Sequence, residues 1–402
     1  MRYQTQKVTL SILLGNIFIA FLGIGIVIPV LPTIMNELNM SGSMVGYMVA
    51  LFAIVQFISS PVAGRWADQL GRKPILVMGL LLFAISELLF GLGKSVSALF
   101  ISRSLGGLSA AFIMPAATAF IADITTLDQR SKALGYMSAA INTGFIFGPG
   151  FGGFLGELYI RLPFFAAAGL GALAALISLI WLKEPVRMAE QAMPPDKQVS
   201  ERNSLSRILN SMYLIALLII FIASFGLASF ESLFSLFVDH KFGFSPKDIA
   251  LAVAGGALIG AFAQILLFDR LTRRIGEIAL IRRCLIISAV LAFLMTVVSS
   301  YLTILLTTFV LFVGFDLIRP AITTYLSKIA GNEQGFIGGM NSMFTSLGNI
   351  FGPIVGGILF DMNINYPYYF AALVLVVGII LAMFWKKPAW KENNRSLQSQ
   401  YE

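Results

Sequence analysis

The chain has 402 residues, of which 57% are hydrophobic and only 12% charged, with a mean hydropathy of +0.85 and a formal net charge of +8. That composition lies far outside the range of soluble globular proteins and marks an integral membrane protein. A single cysteine, Cys284, excludes an internal disulfide and a cysteine-based metal cage, and reads as a packing residue.

The apolar runs are long and continuous. A hydrocarbon core of about 30 Å takes about 20 apolar residues per helix, whereas a barrel would show short alternating segments, so the spans are expected to be helices. The first run, residues 8–33, extends past Pro32 without a small-residue cleavage site after a short core, and reads as a span rather than a cleavable signal. Further runs follow near residues 43–64, 74–93, 96–122, 133–157, 161–182, 210–237, 248–268, 278–299, 302–326, 336–360 and 367–385, which predicts twelve helices. The longest hydrophilic stretch, residues 183–209, contains Pro194-Pro195 and mixed charges and reads as a linker. It divides a six-helix bundle over 1–182 from a second over 210–386, followed by a tail over 387–402.

With the N-terminus placed in the cytoplasm, cytoplasmic segments hold 22 of the 28 Lys and Arg residues. Outer loops hold only Lys94, Arg161, Lys241 and Lys247, and Arg103 and Arg319 fall inside spans. The positive-inside rule therefore puts both termini in the cytoplasm. Topology accounts for the positive charge, and no nucleic-acid partner is needed.

The two halves repeat. In the fifth span, Gly135, Gly144, Gly148, Pro149, Gly152 and Gly153 align with Gly339, Gly348, Gly352, Pro353, Gly356 and Gly357 in the eleventh, at a constant offset of 204. PAATAFIADI from Pro115 aligns with PAITTYLSKI from Pro320 at an offset of 205, and GRWADQLGRK from Gly64 more weakly with FDRLTRRIGE from Phe268. Parallel repeats of this kind place a substrate site near the bilayer midplane between the halves. Glycines four apart let helices approach closely, and Gly-Pro frees a backbone carbonyl and bends the helix. Packing alone would also account for each glycine taken singly.

Charges inside spans cost about 2.5–3.5 kcal/mol each on insertion scales, so they persist when paired, hydrated or functional. Five remain once loops are set aside: Glu87, Arg103, Glu231, Asp316 and Arg319. Glu231 is flanked by Phe230, Phe234 and Ser235, and Asp316 follows Phe315. A carboxyl group in such surroundings can take up and release a proton as its environment opens and closes. Asp316 and Arg319 stand three apart on one helical face and could instead form a static ion pair. Arg103 could bond helix carbonyls or remain beside a carboxylate. Glu87 reads as satisfied by a neighbour or by the outer interface.

Other chemistries are poorly supported. GLGKS, residues 91–95, lacks the first glycine of a phosphate loop because Leu88 stands there, so ATP-driven transport is not expected. The lone histidine, His240, gives neither a metal cluster nor a catalytic dyad, and the chain is not expected to be an enzyme or to carry a metal or organic cofactor.

On these motifs the chain resembles the major facilitator superfamily, and within it the twelve-helix drug/proton antiporters, close to the Bmr and NorA group of bacterial multidrug exporters. Gly64, Asp68, Gly71, Arg72 and Lys73 match the loop motif after the second helix. SRSLGGLSAA around Arg103 matches the fourth-helix motif, and Leu22–Pro32 the first-helix motif. The glycine-proline pattern of the fifth span resembles the one that marks antiporters. FESLFSLF around Glu231 and GFDLIRPAITTYLS around Asp316 are similar to the exporter group.

The resemblance implies an all-α membrane fold of two related six-helix bundles. It implies proton coupling at Glu231, Asp316, Arg103 and Arg319, and a latch formed by Asp68 with Arg72 and Lys73 anchored at the anionic leaflet. It places spans 1, 2, 5, 10 and 11 around a central cavity. Asn16, Phe52, Gln56, Asn142, Phe145, Phe315, Asn341, Phe344 and Asn349 on those spans then become candidate substrate contacts alongside the two acids; each amide could equally be interhelical glue. Flexible Met and aromatic walls suit varied lipophilic cations.

The expected function is proton-driven export of small-molecule drugs and lipophilic cations from a bacterium, across the cytoplasmic membrane, by a monomer whose only coupling ion is the proton. A same-fold symporter, or an exporter of one metabolite, is the alternative. A membrane receptor or assembly factor that moves nothing is a third reading, which two matched halves with acids near the midplane disfavour.

Overall fold

In a computed structural model, residues 2–184, 211–330 and 334–385 are described. They form twelve helices: α1 (Arg2–Glu37), α2 (Gly42–Leu70), α3 (Arg72–Leu92), α4 (Val96–Ile124), α5 (Leu127–Leu158) and α6 (Leu162–Trp181) in the first half. The second half holds α7 (Ser211–Phe242), α8 (Pro246–Ile275), α9 (Glu277–Val297), α10 (Tyr301–Ala330), α11 (Gln334–Met362) and α12 (Tyr366–Met383). Apart from Lys183 and Glu184, the expected linker and tail lie outside the described residues.

Eleven of these helices, on their described residues, are long and apolar enough to cross a membrane. The other is α5, rich in glycine through its middle and carrying Gln129, Arg130 and Lys132 in its first turns. Several helices outrun their apolar stretches. α7 continues through Asp239 and Lys241, because a backbone hydrogen-bond ladder once started costs little to extend into the polar interface.

The repeat reappears as packing. In the first half α1 lies on α5, α2 on α4, and α3 on α4 and α6; in the second α7 lies on α11, α8 on α10, and α9 on α10 and α12. The halves meet through α2 with α11 and α5 with α8, again a symmetric pair of contacts. α3, α6, α9 and α12 are packed on their own halves, and large apolar side chains such as Ile180, Trp181, Val290 and Leu373 remain exposed on them. Such area is unfavourable against water by about 25 cal/mol per Å² and suits lipid.

The motif glycines explain the close contacts. A Cβ at Gly148 would come 2.6 Å from the carbonyl oxygen of Leu22, and one at Gly144 2.8 Å from that of Phe18; Gly152 approaches the carbonyl of Ile26 in the same manner. In α11, Gly348 and Gly352 face the carbonyls of Phe221 and Phe225 on α7 likewise. The neighbouring glycines do a different job. Gly153 faces Pro246 and Ala250 of α8, and Gly357 faces Gly42 and Ser43 of α2, so these two bring the halves together.

The halves are joined at the end of the bundle away from the first residue of α1 and the last of α12. There Asp361, at the end of α11, accepts hydrogen bonds from the backbone N–H groups of Gly42 (2.6 Å) and Ser43 (3.0 Å) at the start of α2. Near the opposite end, Gly135, Gly338 and Gly339 have nothing within 4 Å of where a Cβ would stand.

Candidate transport site

The candidate residues fall in both halves. In the second, α7 carries Glu231 beside Phe230, which is buried against Phe312 and Tyr368 at ring separations of 5.8 and 6.0 Å. Phe234 is likewise buried, whereas Glu231 is exposed. The helical period thus turns the flanking rings into the core and Glu231 outward, so the aromatic groups next to it in sequence form its support rather than its surroundings.

Asp316, part-buried on α10, lies within electrostatic reach of Glu231, and Arg319 within reach of both acids. Arg319 is exposed, and among the described residues no ion pair within 4 Å joins it to Asp316. The two acids therefore bear on one region from two helices, with a guanidinium nearby but not locked to either.

In the first half Arg103 of α4 is paired with Glu87 of α3 at 3.3 Å, the two side chains only 7% and 3% exposed. The guanidinium also stands 4.5 Å over the Phe90 ring. Beside this pair a cavity of about 20 Å³ is lined by Phe21, Phe52, Phe83 and Met114. It is large enough for about one water molecule. Reciprocal bonds between Ser86 and Ser102, at 2.8 and 2.9 Å to each other's carbonyls, fix α3 against α4 at this level. Of the alternatives open to Arg103, the structure shows the carboxylate partner.

The candidate substrate contacts fall into three groups. Asn142, Phe145 and Asn349 are exposed; Phe52, Gln56, Asn341 and Phe344 are partly exposed. The Phe145 ring meets Phe21 edge to face at 5.1 Å, and Asn341 Oδ1 has no hydrogen-bond partner among the described residues. Asn16 and Phe315 are each 2% exposed. Asn16 donates to Ser178 Oγ at 2.8 Å and joins α1 to α6, while the Phe315 ring lies against Gly226 of α7. The spacing of amides along a helix did not distinguish these environments.

The expected loop motif is mostly helical. Residues 64–70 are the last turns of α2, and Gly71 alone separates it from α3, with φ at +106°, a conformation in which a side chain is strained. Its counterpart Gly276 separates α8 from α9 at φ +80°. Arg72 bonds Asp123 at 3.0 Å and also Asp68, one turn away. The first turn of α3 is capped by Glu184, which accepts from the backbone of Arg72 and, at 2.9 Å, of Lys73. Glu184 stood in the expected linker, and neither it nor Asp361 carried a local signal of these roles. A Cβ at Gly64 would meet Pro115 of α4 only at 3.9 Å, an ordinary contact.

Two pseudo-symmetric helical bundles, joined at one end, have the architecture of a secondary transporter. The family model of the Major Facilitator Superfamily matches residues 13–239 and 216–400, and the chain belongs to that superfamily. It is 64% identical over 387 residues to Multidrug resistance protein 1 of Bacillus subtilis (strain 168), covering 96% of this chain and 98% of that protein. It is 54% identical over 384 residues to Multidrug resistance protein 2 of the same strain (95% and 96%). It is 44% identical over 385 residues to the Quinolone resistance protein NorA of Staphylococcus aureus (strain Mu50 / ATCC 700699) (95% and 98%). Among solved structures, the nucleoside transporter NupG matches with a TM-score of 0.76 at 16% identity, covering 94% of this chain and 98% of that one. A bacterial homolog of the human lysosomal transporter Spinster matches with a TM-score of 0.77 at 18% identity (94% and 95%). These last two likenesses concern the fold alone.

Proposed function

We propose that this protein is a proton-coupled multidrug exporter of varied amphipathic, mostly cationic compounds, among them dyes, quinolone-type antibiotics and quaternary ammonium compounds. The observation that carries the reading is the convergence of Glu231 and Asp316, from two helices, with no ion pair within 4 Å at either among the described residues. The relatives' names, two multidrug resistance proteins and a quinolone resistance protein, support the substrate class.

The mechanism follows from charge and geometry. Two carboxylates within reach of one another repel, so neutralising one relieves the other. A drug cation and a proton can each supply that neutralisation, and they compete. With both termini in the cytoplasmic compartment of a bacterial cell membrane, the closed end held by Asp361 faces outward and the acids are approached from inside. Drug binds there as a cation on partly apolar walls. The halves then rock about their contacts, a proton from outside displaces the drug, and return releases the proton inward. Arg319 offers a competing positive charge, and the Glu87–Arg103 pair holds the first half rigid. The proton is the only coupling ion, and one chain suffices.

Everted vesicles test this directly. Energised vesicles should take up a monocationic dye, and adding the dye should draw protons out of the acidified lumen. Dye-linked proton movement in the same direction as the dye would make the protein a symporter, and uptake no greater than in protein-free liposomes would remove transport altogether.

A further inference from the structure

Asp316 occupies space that only a glycine leaves open. On α8, Gly256 and Gly260 stand one turn apart and both are buried against α10. A Cβ at Gly256 would come 2.6 Å from the Phe312 ring, and one at Gly260 would overlap Asp316 Oδ2. Phe312 and Asp316 are also one turn apart, so two knobs on α10 enter two bare positions on α8.

The first half inverts this contact. With the repeat offsets of 204 and 205, Gly256 and Gly260 correspond to Phe52 and Gln56 of α2, and Phe312 and Asp316 to Gly107 and Ala111 of α4. There the Phe52 ring lies over Gly106 and the Phe52 backbone against Gly107, so the large residue is on the second helix of the half and the small one on the fourth. At this level large and small have changed places, as expected where two surfaces must interlock at fixed volume.

We propose that Gly260 is a positioning residue for Asp316: its bare backbone seats the carboxylate between α8 and α10 and so sets where the proton and the drug cation meet it. The inference rests on the coupling role given to Asp316 above. The electrostatic neighbours of that carboxylate are Arg319 on its own helix and Glu231 on α7. On α8 the carboxylate meets the Gly260 backbone, and α9 places Ser288 against Gly314, half a turn away. A methyl group at residue 260 therefore displaces the carboxylate without adding or removing a charge.

The test uses the whole protein in liposomes, with dye efflux driven by an imposed pH gradient and measured across a pH series. Gly260→Ala should lower efflux about 10- to 100-fold, a misplacement of about 1 Å costing up to about 100-fold, and should move the pH midpoint. In an Asp316→Asn background, where gradient-driven efflux is already gone, the same change should cause no further loss of equilibrium dye binding. Gly256→Ala, which presses on a ring instead, should leave the midpoint in place. A wild-type profile for Gly260→Ala, a further loss of dye binding in the Asp316→Asn background, or an equal shift from Gly256→Ala would each overturn the assignment. Wild-type efflux by Asp316→Asn alone would sink the coupling role instead. Should Gly260→Ala fold poorly, adding Asp316→Ala clears the space and should restore its melting temperature; no recovery would count against the contact.

Discussion

Glu87 and Arg103 illustrate what a charge costs in the membrane. Each is buried, each has an atom without a hydrogen-bond partner among the described residues (Glu87 Oε2 and Arg103 Nε), and each is held by the other at 3.3 Å. Removing Arg103 alone leaves an uncompensated carboxylate, so Arg103→Ala should cost about 3–5 kcal/mol. Replacing both together, as Glu87→Leu with Arg103→Met, should return most of that loss because no charge then remains buried. Thermal unfolding in detergent measures both, and a double variant no more stable than Arg103→Ala would contradict the pairing. The sequence exposed both charges individually, since an ionisable residue in an apolar run is conspicuous. It could not pair them, because the pairing depends on which faces of α3 and α4 meet. The same lack of facing information joined Asn16, whose amide ties α1 to α6, with the exposed Asn142 and Asn349.

At the level of helices, the glycine-proline stretch of α5 does more than permit a bend. Gly144, Gly148 and Gly152 lie against carbonyls of α1, whereas Gly150 between them has nothing within 4 Å of where a methyl group would stand. Gly148→Ala should therefore force α1 and α5 apart and lower both folded yield and efflux. Gly150→Ala should be neutral or stabilise by about 0.5–1 kcal/mol, as expected for alanine in place of a helical glycine. Equal effects of the two substitutions on thermal stability would show that glycine content, and not close approach, is what matters. The twelve helices and the repeat were legible because the bilayer imposes a minimum apolar length, met by eleven of them, and duplication preserves spacing. The ends of the helices were less so. Hydropathy stops where lipid stops, whereas the helix of α7 continues to Phe242 and that of α2 to Leu70, with a single glycine left as the junction to α3. Glu184 lay beyond the last apolar run, and its cap on α3 depends on where the chain returns after α6.

For the whole molecule, the balance between its two openings should depend on the bonds at the joined end. Asp361 accepts two backbone N–H groups from the other half, at the start of a helix where the macrodipole also favours a negative charge. A hydrogen bond to a charged group contributes about 1.5–3 kcal/mol, so Asp361→Ala should shift the ratio of the two openings by about 10- to 100-fold toward separation at that end. Distances between spin labels placed on α2 and α11 at the joined end should show this as a new long-distance population, and an unchanged distribution would remove Asp361 from the closure. The central claim concerns exchange of a proton for a cation at Glu231 and Asp316. It is tested most directly by efflux of a monocationic dye from liposomes under an imposed pH gradient, comparing wild type with Glu231→Gln and Asp316→Asn. The account predicts that each substitution abolishes gradient-driven efflux while the protein stays folded; wild-type rates in both variants would contradict it.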